Sequence, residues 1–140
     1  MSGRLRTAVR IVFGLVFLAG GVVHLVLGRT APAGYAAFGH TCLASWLAEL
    51  WTSFVMPNIG WLTLVLGGFE IAIGALLLAG GVAARAAAVT VLGFFGFLLV
   101  LGHGFPAQNW VEDFLKNRAS TLLMAGCLLP VLWPRRRARP

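Results

Sequence analysis

Residues 59–79 read IGWLTLVLGGFEIAIGALLLA, an apolar run in which Glu70 is the one ionisable side chain. At 1.5 Å per residue a helix of this length is about 31 Å long, close to the roughly 30 Å of a bilayer's hydrocarbon core. Three other segments share its character: Val9 to Gly28, Ala86 to Leu101 and Phe114 to Trp133. Over all 140 residues the hydrophobic fraction is 59% and the charged fraction 11%, against roughly 25% charged residues in soluble domains. The pattern predicts an all-α integral membrane protein: one domain over residues 1–140, folded as an antiparallel four-helix bundle. The connection from Gly80 to Arg85 leaves room only for a tight turn, which makes the second and third spans neighbours.

Arg4, Arg6 and Arg10 ahead of an apolar stretch, with Ala31-Pro32-Ala33 after it, have the outline of a secretory signal. The run from Ile11 to Leu27 exceeds the apolar core of such signals and is read as a retained span. The net charge of +7 does not point to nucleic acid. Four basic residues, Arg135, Arg136, Arg137 and Arg139, crowd behind the last apolar run, and no basic stripe interleaved with aromatics exists elsewhere. Sorting the basic residues by side puts Arg4, Arg6, Arg10, Arg85 and the four C-terminal arginines against Arg29, Lys116 and Arg118. Eight against three predicts cytoplasmic N- and C-termini, in a multi-pass protein of a prokaryotic-type cytoplasmic membrane. The outer side then carries Trp46, Trp51 and Trp110 in the connections and Trp61 at the start of the second span, the residues expected of an interfacial aromatic belt.

Within the first outer connection, Leu43, Trp46, Leu47, Leu50, Trp51 and Phe54 recur on one helical face. An outer amphipathic helix is expected over about residues 41–55, with Thr41 as its N-cap and Pro57 ending it at Met56. Its face, Trp46, Leu50, Trp51 and Phe54 above all, either packs on the rim of the bundle or docks a partner. Asn109 with Glu112 offers a cap for the fourth helix.

An ionisable group inside a span is costly and marks a structural tie or a functional path. Gly14, Gly21 and Gly28 repeat every seven residues, and His24 falls three after Gly21, on their stripe. Glu70 lies three after Gly67 and four before Gly74, and His103 seven after Gly96. Small residues let helices approach, so Gly14, Gly21, Gly67, Gly74 and Gly96 are the expected packing seams. Heights above the cytoplasmic boundary come to about 15 Å for Glu70, 21 Å for His24, 22 Å for Arg118 and 26 Å for His103. These four are the candidate ligand or proton-handling residues, with Arg118 expected to pair with Glu70. For each a structural alternative stands: Glu70 as a register-fixing tie, His103 as an interfacial or capping group, His24 as a seam residue. Glu112 and Asp113 beside Lys116 and Arg118 are most simply a solvated helix start. His40 and Cys42 do not make a compact metal or haem motif with the other histidines, so neither cofactor is expected, and Cys42 and Cys127 are not expected to form a disulfide.

Arg10-Ile11-Val12-Phe13-Gly14 through Gly21-Val22-Val23-His24, followed by Gly67-Gly68-Phe69-Glu70-Ile71-Ala72-Ile73-Gly74, resembles the DoxX/DoxD-like membrane family. That family also has an early arginine, a glycine followed three later by Lys or His, and a Glu in a glycine-rich second helix. Here His24 stands where the family often has Lys, and the outer connection is longer. The resemblance implies an accessory, non-catalytic subunit of a quinone-linked membrane redox complex, with a quinone or partner site in the outer half of the bundle. Distant relatives that assemble other membrane proteins imply the alternative, a structural or assembly factor.

Overall fold

The computed structural model describes residues 3–132, so Trp133 and the arginines at 135, 136, 137 and 139 lie outside the described residues. Every regular element among the described residues is helical. Helix α1 spans Gly3–Thr30. A 3-10 turn, Pro32–Tyr35, leads into the single turn α2, Ala36–Gly39, and then α3, Ser45–Leu50. Helices α4, Ile59–Ala79, and α5, Gly81–Leu101, form a hairpin, and α6, Trp110–Asn117, precedes α7, Ala119–Leu128, which ends in a 3-10 turn at Leu129–Leu132. Three helical stretches are long and apolar enough to cross a membrane: Gly3–Thr30, Ser45–Ala79 and Gly81–Leu101. The fourth apolar piece, Ala119–Leu132, is shorter.

Several expectations about boundaries give way. Pro57 does not end the outer helix. Met56 keeps helical dihedrals (φ −63°, ψ −44°), and its N–H bonds five residues back to Trp51 O, within a π-helical turn over Trp51–Val55. A proline has no N–H and its ring crowds the carbonyl four residues before it; the wider turn followed by a 3-10 turn at Met56–Asn58 absorbs both problems, and the helix runs on into α4. The fourth segment, in contrast, is broken where the sequence shows neither Gly nor Pro. Arg118 leaves the helical region (φ −136°, ψ −33°) and separates α6 from α7. The expected helix start is capped as proposed: Asn109 Oδ1 accepts from Glu112 N at 3.0 Å, and Glu112 Oε2 accepts from Gln108 N at 2.8 Å, but the helix so capped is α6. Thr41 is not the N-cap of α3, which begins after Ala44 without a side-chain cap.

The α4–α5 turn is made by Gly80 and Gly81, at φ +82° and +62°, where a side chain would be strained. Helix α5 therefore starts five residues earlier than expected. Helices α1 and α4 lie antiparallel in close contact: a Cβ on Gly74 would come 2.7 Å from Gly14 O, one on Gly67 2.8 Å from Gly21 O, and Gly28 abuts Thr63. The pairs Gly14–Gly74 and Gly21–Gly67 step seven residues along each helix in opposite directions, so the same two faces stay in register. Gly96 has no such role. It is exposed, with open space around its Cβ position, because α5 packs through the stripe Ala84, Ala87, Ala88, Val91 and Phe95, and Gly96 is turned about 100° from Phe95. The core gathers Phe13 and Phe17 of α1, Ile73 and Leu77 of α4, Ala87, Ala88, Val91 and Phe95 of α5, and Leu128 and Val131 from α7 and its terminal turn. The outward face of α1, including Val12, Leu15, Val16, Val22, Val23 and Val26, is exposed and apolar.

Candidate functional site

Glu70 stands between Gly67 and Gly74 on the face of α4 that meets α1, so its carboxylate is held in the seam. It is 7% exposed. Its Oε2 lies over Gly20, where a Cβ would approach to 2.8 Å, and this oxygen is buried without a hydrogen-bond partner among the described residues. Oε1 is 3.7 Å from His24 Nε2, an ion-pair distance and too long for a direct hydrogen bond. His24 Nδ1 is 2.6 Å from Tyr35 Oη.

Tyr35 carries information that the sequence did not flag. It is the one tyrosine of the chain, delivered to His24 by the 3-10 turn after Pro32, and it is buried. Burial raises its pKa, and the charge of Glu70 adds to the rise, so the phenol keeps its proton. The phenol either donates to Nδ1 of an imidazole that carries its hydrogen on Nε2, the nitrogen turned to Glu70, or accepts from Nδ1–H. Tyr35, His24 and Glu70 thus form a line from the connection beyond α1 to the middle of α4. A lid of rings covers its outer end: Tyr35 stacks on Phe38 at 6.1 Å, Phe38 meets Trp51 at 5.9 Å, and Trp51 Nε1 donates to Tyr35 O at 2.8 Å. Trp51 fits there because Gly39 leaves room: a Cβ would sit 3.0 Å from its ring.

The amphipathic face is divided by this arrangement. Leu47 is buried and Trp51 half-buried in the lid, whereas Leu43, Trp46, Leu50 and Phe54 point outward, Trp46 being 64% exposed.

Arg118 and His103 belong to a second centre. Arg118 does not pair with Glu70. It forms an ion pair with Asp113, donates from Nη2 to Thr41 O at 2.6 Å and from Nε to Leu99 O at 3.1 Å. The break after α6 explains the correction, since it turns the arginine towards the end of α5 and towards Asp113. Fully buried Asn117 accepts from His103 N and Phe105 N, and donates to Phe105 O and Asp113 Oδ1, all at 2.9–3.2 Å. His103 Nε2 lies 2.8 Å from Thr121 Oγ1. Burial first, then the charge of Arg118, holds His103 below its ordinary pKa, so it is neutral at pH 7. Thr41 Oγ1 accepts from Gly104 N at 3.0 Å and donates to Leu101 O at 3.0 Å, while a Cβ on Gly102 would strike that hydroxyl group. No buried side-chain oxygen or nitrogen of this group lacks a partner among the described residues, which is the mark of a rivet joining the connections that follow α1 and α5. His40 is exposed and Cys42 Sγ contacts Phe38 O; neither joins His24 or His103. Among the described residues no three His, Cys, Asp or Glu side chains converge as a metal site would require.

The two centres differ in what they leave undone. Around Arg118 the buried side-chain polar atoms have partners; at Glu70 a buried carboxylate oxygen has none among the described residues. No family model, curated protein or solved structure matches this chain.

Proposed function

We propose that this chain is an integral membrane protein of DoxX/DoxD-like type, an antiparallel four-helix bundle in which α7 and its terminal turn supply the fourth crossing. Its N-terminus lies on the cytoplasmic side of a prokaryotic-type membrane, and its C-terminus on the same side. It serves as an accessory subunit of a quinone-linked redox complex, with Glu70 and His24 meeting the quinone headgroup and Tyr35 orienting His24.

The observation that carries this reading is the unpartnered Glu70 Oε2 in the α1–α4 seam. A buried carboxylate with an open oxygen is expensive in apolar surroundings and is best explained by a group that comes and goes, a proton or a ligand donor. Reduction of a quinone to the quinol takes two electrons, which a redox partner subunit supplies, and two protons, which must reach the carbonyl oxygens away from water. A carboxyl group backed by a histidine can hand over one proton, be recharged through the Tyr35 end of the line, and hand over the second. Purifying the tagged chain in mild detergent tests the reading. Quinone and redox subunits in the eluate, with the quinone lost in Glu70→Gln, support it; a chain that carries no quinone while its complex keeps full quinone-linked activity in Glu70→Gln refutes it.

A second reading, an assembly protein without ligand, rests on the exposed edge Leu43, Trp46, Leu50 and Phe54. Apolar rings at a helix rim suit a protein contact. That reading predicts stable co-isolation with a membrane protein that is lost in Trp46→Ser, with no effect of Glu70→Gln.

A further inference from the structure

At the end of the molecule opposite the Tyr35 lid, a cavity of about 210 Å³ opens beside the α4–α5 turn. Its walls are Gly3, Arg6, Thr7 and Arg10 on one face of α1, and Gly81 and Arg85 on α5, with Val131 as the apolar part. Three arginines therefore line one small space. The chain has four carboxylate side chains, Glu49, Glu70, Glu112 and Asp113, and none is in this wall. Two of them are already matched, Glu112 with Lys116 and Asp113 with Arg118.

Arg10 explains its own position. Its Nη1 donates to Leu77 O at 2.6 Å and Leu78 O at 2.5 Å, which closes the carbonyl end of α4. Arg6 and Arg85 close no helix end, and neither has a hydrogen-bond or ion-pair partner among the described residues. The first turn of α5 adds to the positive potential, because Gly80 provides no side-chain cap for its free N–H groups. Like charges gathered without a counter-ion repel one another, and an anion entering the cavity removes that repulsion. Arginine's fork of donors matches phosphate oxygens two at a time.

We propose that this cavity binds a phosphate group, that of an acidic phospholipid headgroup at the membrane boundary, with Arg6 and Arg85 as its donors and Arg10 as the fixed wall between them. The assignment of lipid as the source rests on the membrane reading, whereas the anion chemistry does not.

Full-length protein is purified in detergent and its melting temperature followed with phosphatidylglycerol, with phosphatidylcholine and with inorganic phosphate, while native mass spectrometry counts retained lipid. Each interfacial arginine is worth about fivefold in affinity for an acidic headgroup, so Arg6→Gln with Arg85→Gln weakens phosphatidylglycerol binding by about 25-fold. The control Arg29→Gln, at the opposite end of α1 and outside the cavity wall, leaves it within about twofold. Should the glutamine pair fail to fold, Arg6→Lys with Arg85→Lys keeps the charge but loses the fork, and binding falls part of the way. Stabilisation by inorganic phosphate alone, lost in the same variants, keeps the anion site and removes the lipid as its source. Equal effects of the two lipids with no response to phosphate, or equal losses in the cavity and control variants, overturn the proposal. A chain that carbonate washes from membranes yet binds phosphate through Arg6 and Arg85 would contradict the membrane reading and leave the site standing.

Discussion

Adding one methyl group at Gly67 tests the α1–α4 seam that holds Glu70. In Gly67→Ala the new Cβ would sit 2.8 Å from Gly21 O and 2.8 Å from Leu25 Cγ, while ordinary contact begins at 3.4 Å. The helices must part locally by about 0.6 Å, the difference between those two distances. Leu25 can adjust its rotamer, but a backbone oxygen of α1 cannot turn aside. Overpacking of this kind costs about 1–3 kcal/mol, and the obstructing backbone puts the value in the upper half of that range. Exchanging glycine for alanine within a helix returns about 1 kcal/mol. The net expectation is a loss of about 1–2 kcal/mol. Gly96→Ala is the internal comparison: its Cβ meets open space, so the helix gain of up to about 1 kcal/mol stands alone. Reversible unfolding by sodium dodecyl sulfate in mixed micelles should separate the two variants by about 2–3 kcal/mol, in opposite directions from the parent. Equal stabilities, or a Gly67→Ala protein more stable than Gly96→Ala, would refute the close approach.

Asn117→Ala removes a buried amide that serves four bonds to His103, Phe105 and Asp113, and the orphaned groups make the loss about 3 kcal/mol in the same unfolding assay; a loss below about 1 kcal/mol would mean that the rivet is not formed. His103 gives a pH dependence of definite sign. Its folded-state pKa lies below the ordinary 6.5, so the unfolded chain binds the proton more tightly; its contribution is complete above pH 6.5 and is lost as the pH falls through the folded value. As the pH falls below 6.5 the melting temperature of the parent should fall relative to that of His103→Asn; an identical pH profile in both proteins would contradict the assignment.

Glu70 and His24 could be set on one seam from spacing alone, because a seven-residue repeat of small residues keeps a single helix face, and only that face can bring α1 and α4 together. Gly96 shows the limit of the same reasoning: a glycine in a helix says that approach is allowed, and the alanine stripe of α5 offers a better contact. The partner of Arg118 was hidden for a different reason. Height along a straight helix placed it near Glu70, but the chain breaks at Arg118 itself, driven by the tertiary bonds of Asn117 and Arg118 rather than by any local breaker. Pro57 misled in the opposite sense, since the local rule that ends a helix before proline was overridden by a π-helical turn. Tyr35 carried no periodic signal at all. Its role follows from a turn of four residues that closes over His24, and a turn of that kind becomes visible only once α1 and α4 are assembled.

The most direct test of the account is the rate of quinone-linked turnover in membranes whose complex contains Glu70→Gln, with Glu49→Gln as the matched removal of an acid outside the seam. If Glu70 hands protons to a quinone as proposed, turnover falls by at least about 100-fold in Glu70→Gln and stays parental in Glu49→Gln. Parental turnover in Glu70→Gln, with the complex assembled to normal levels, would contradict it.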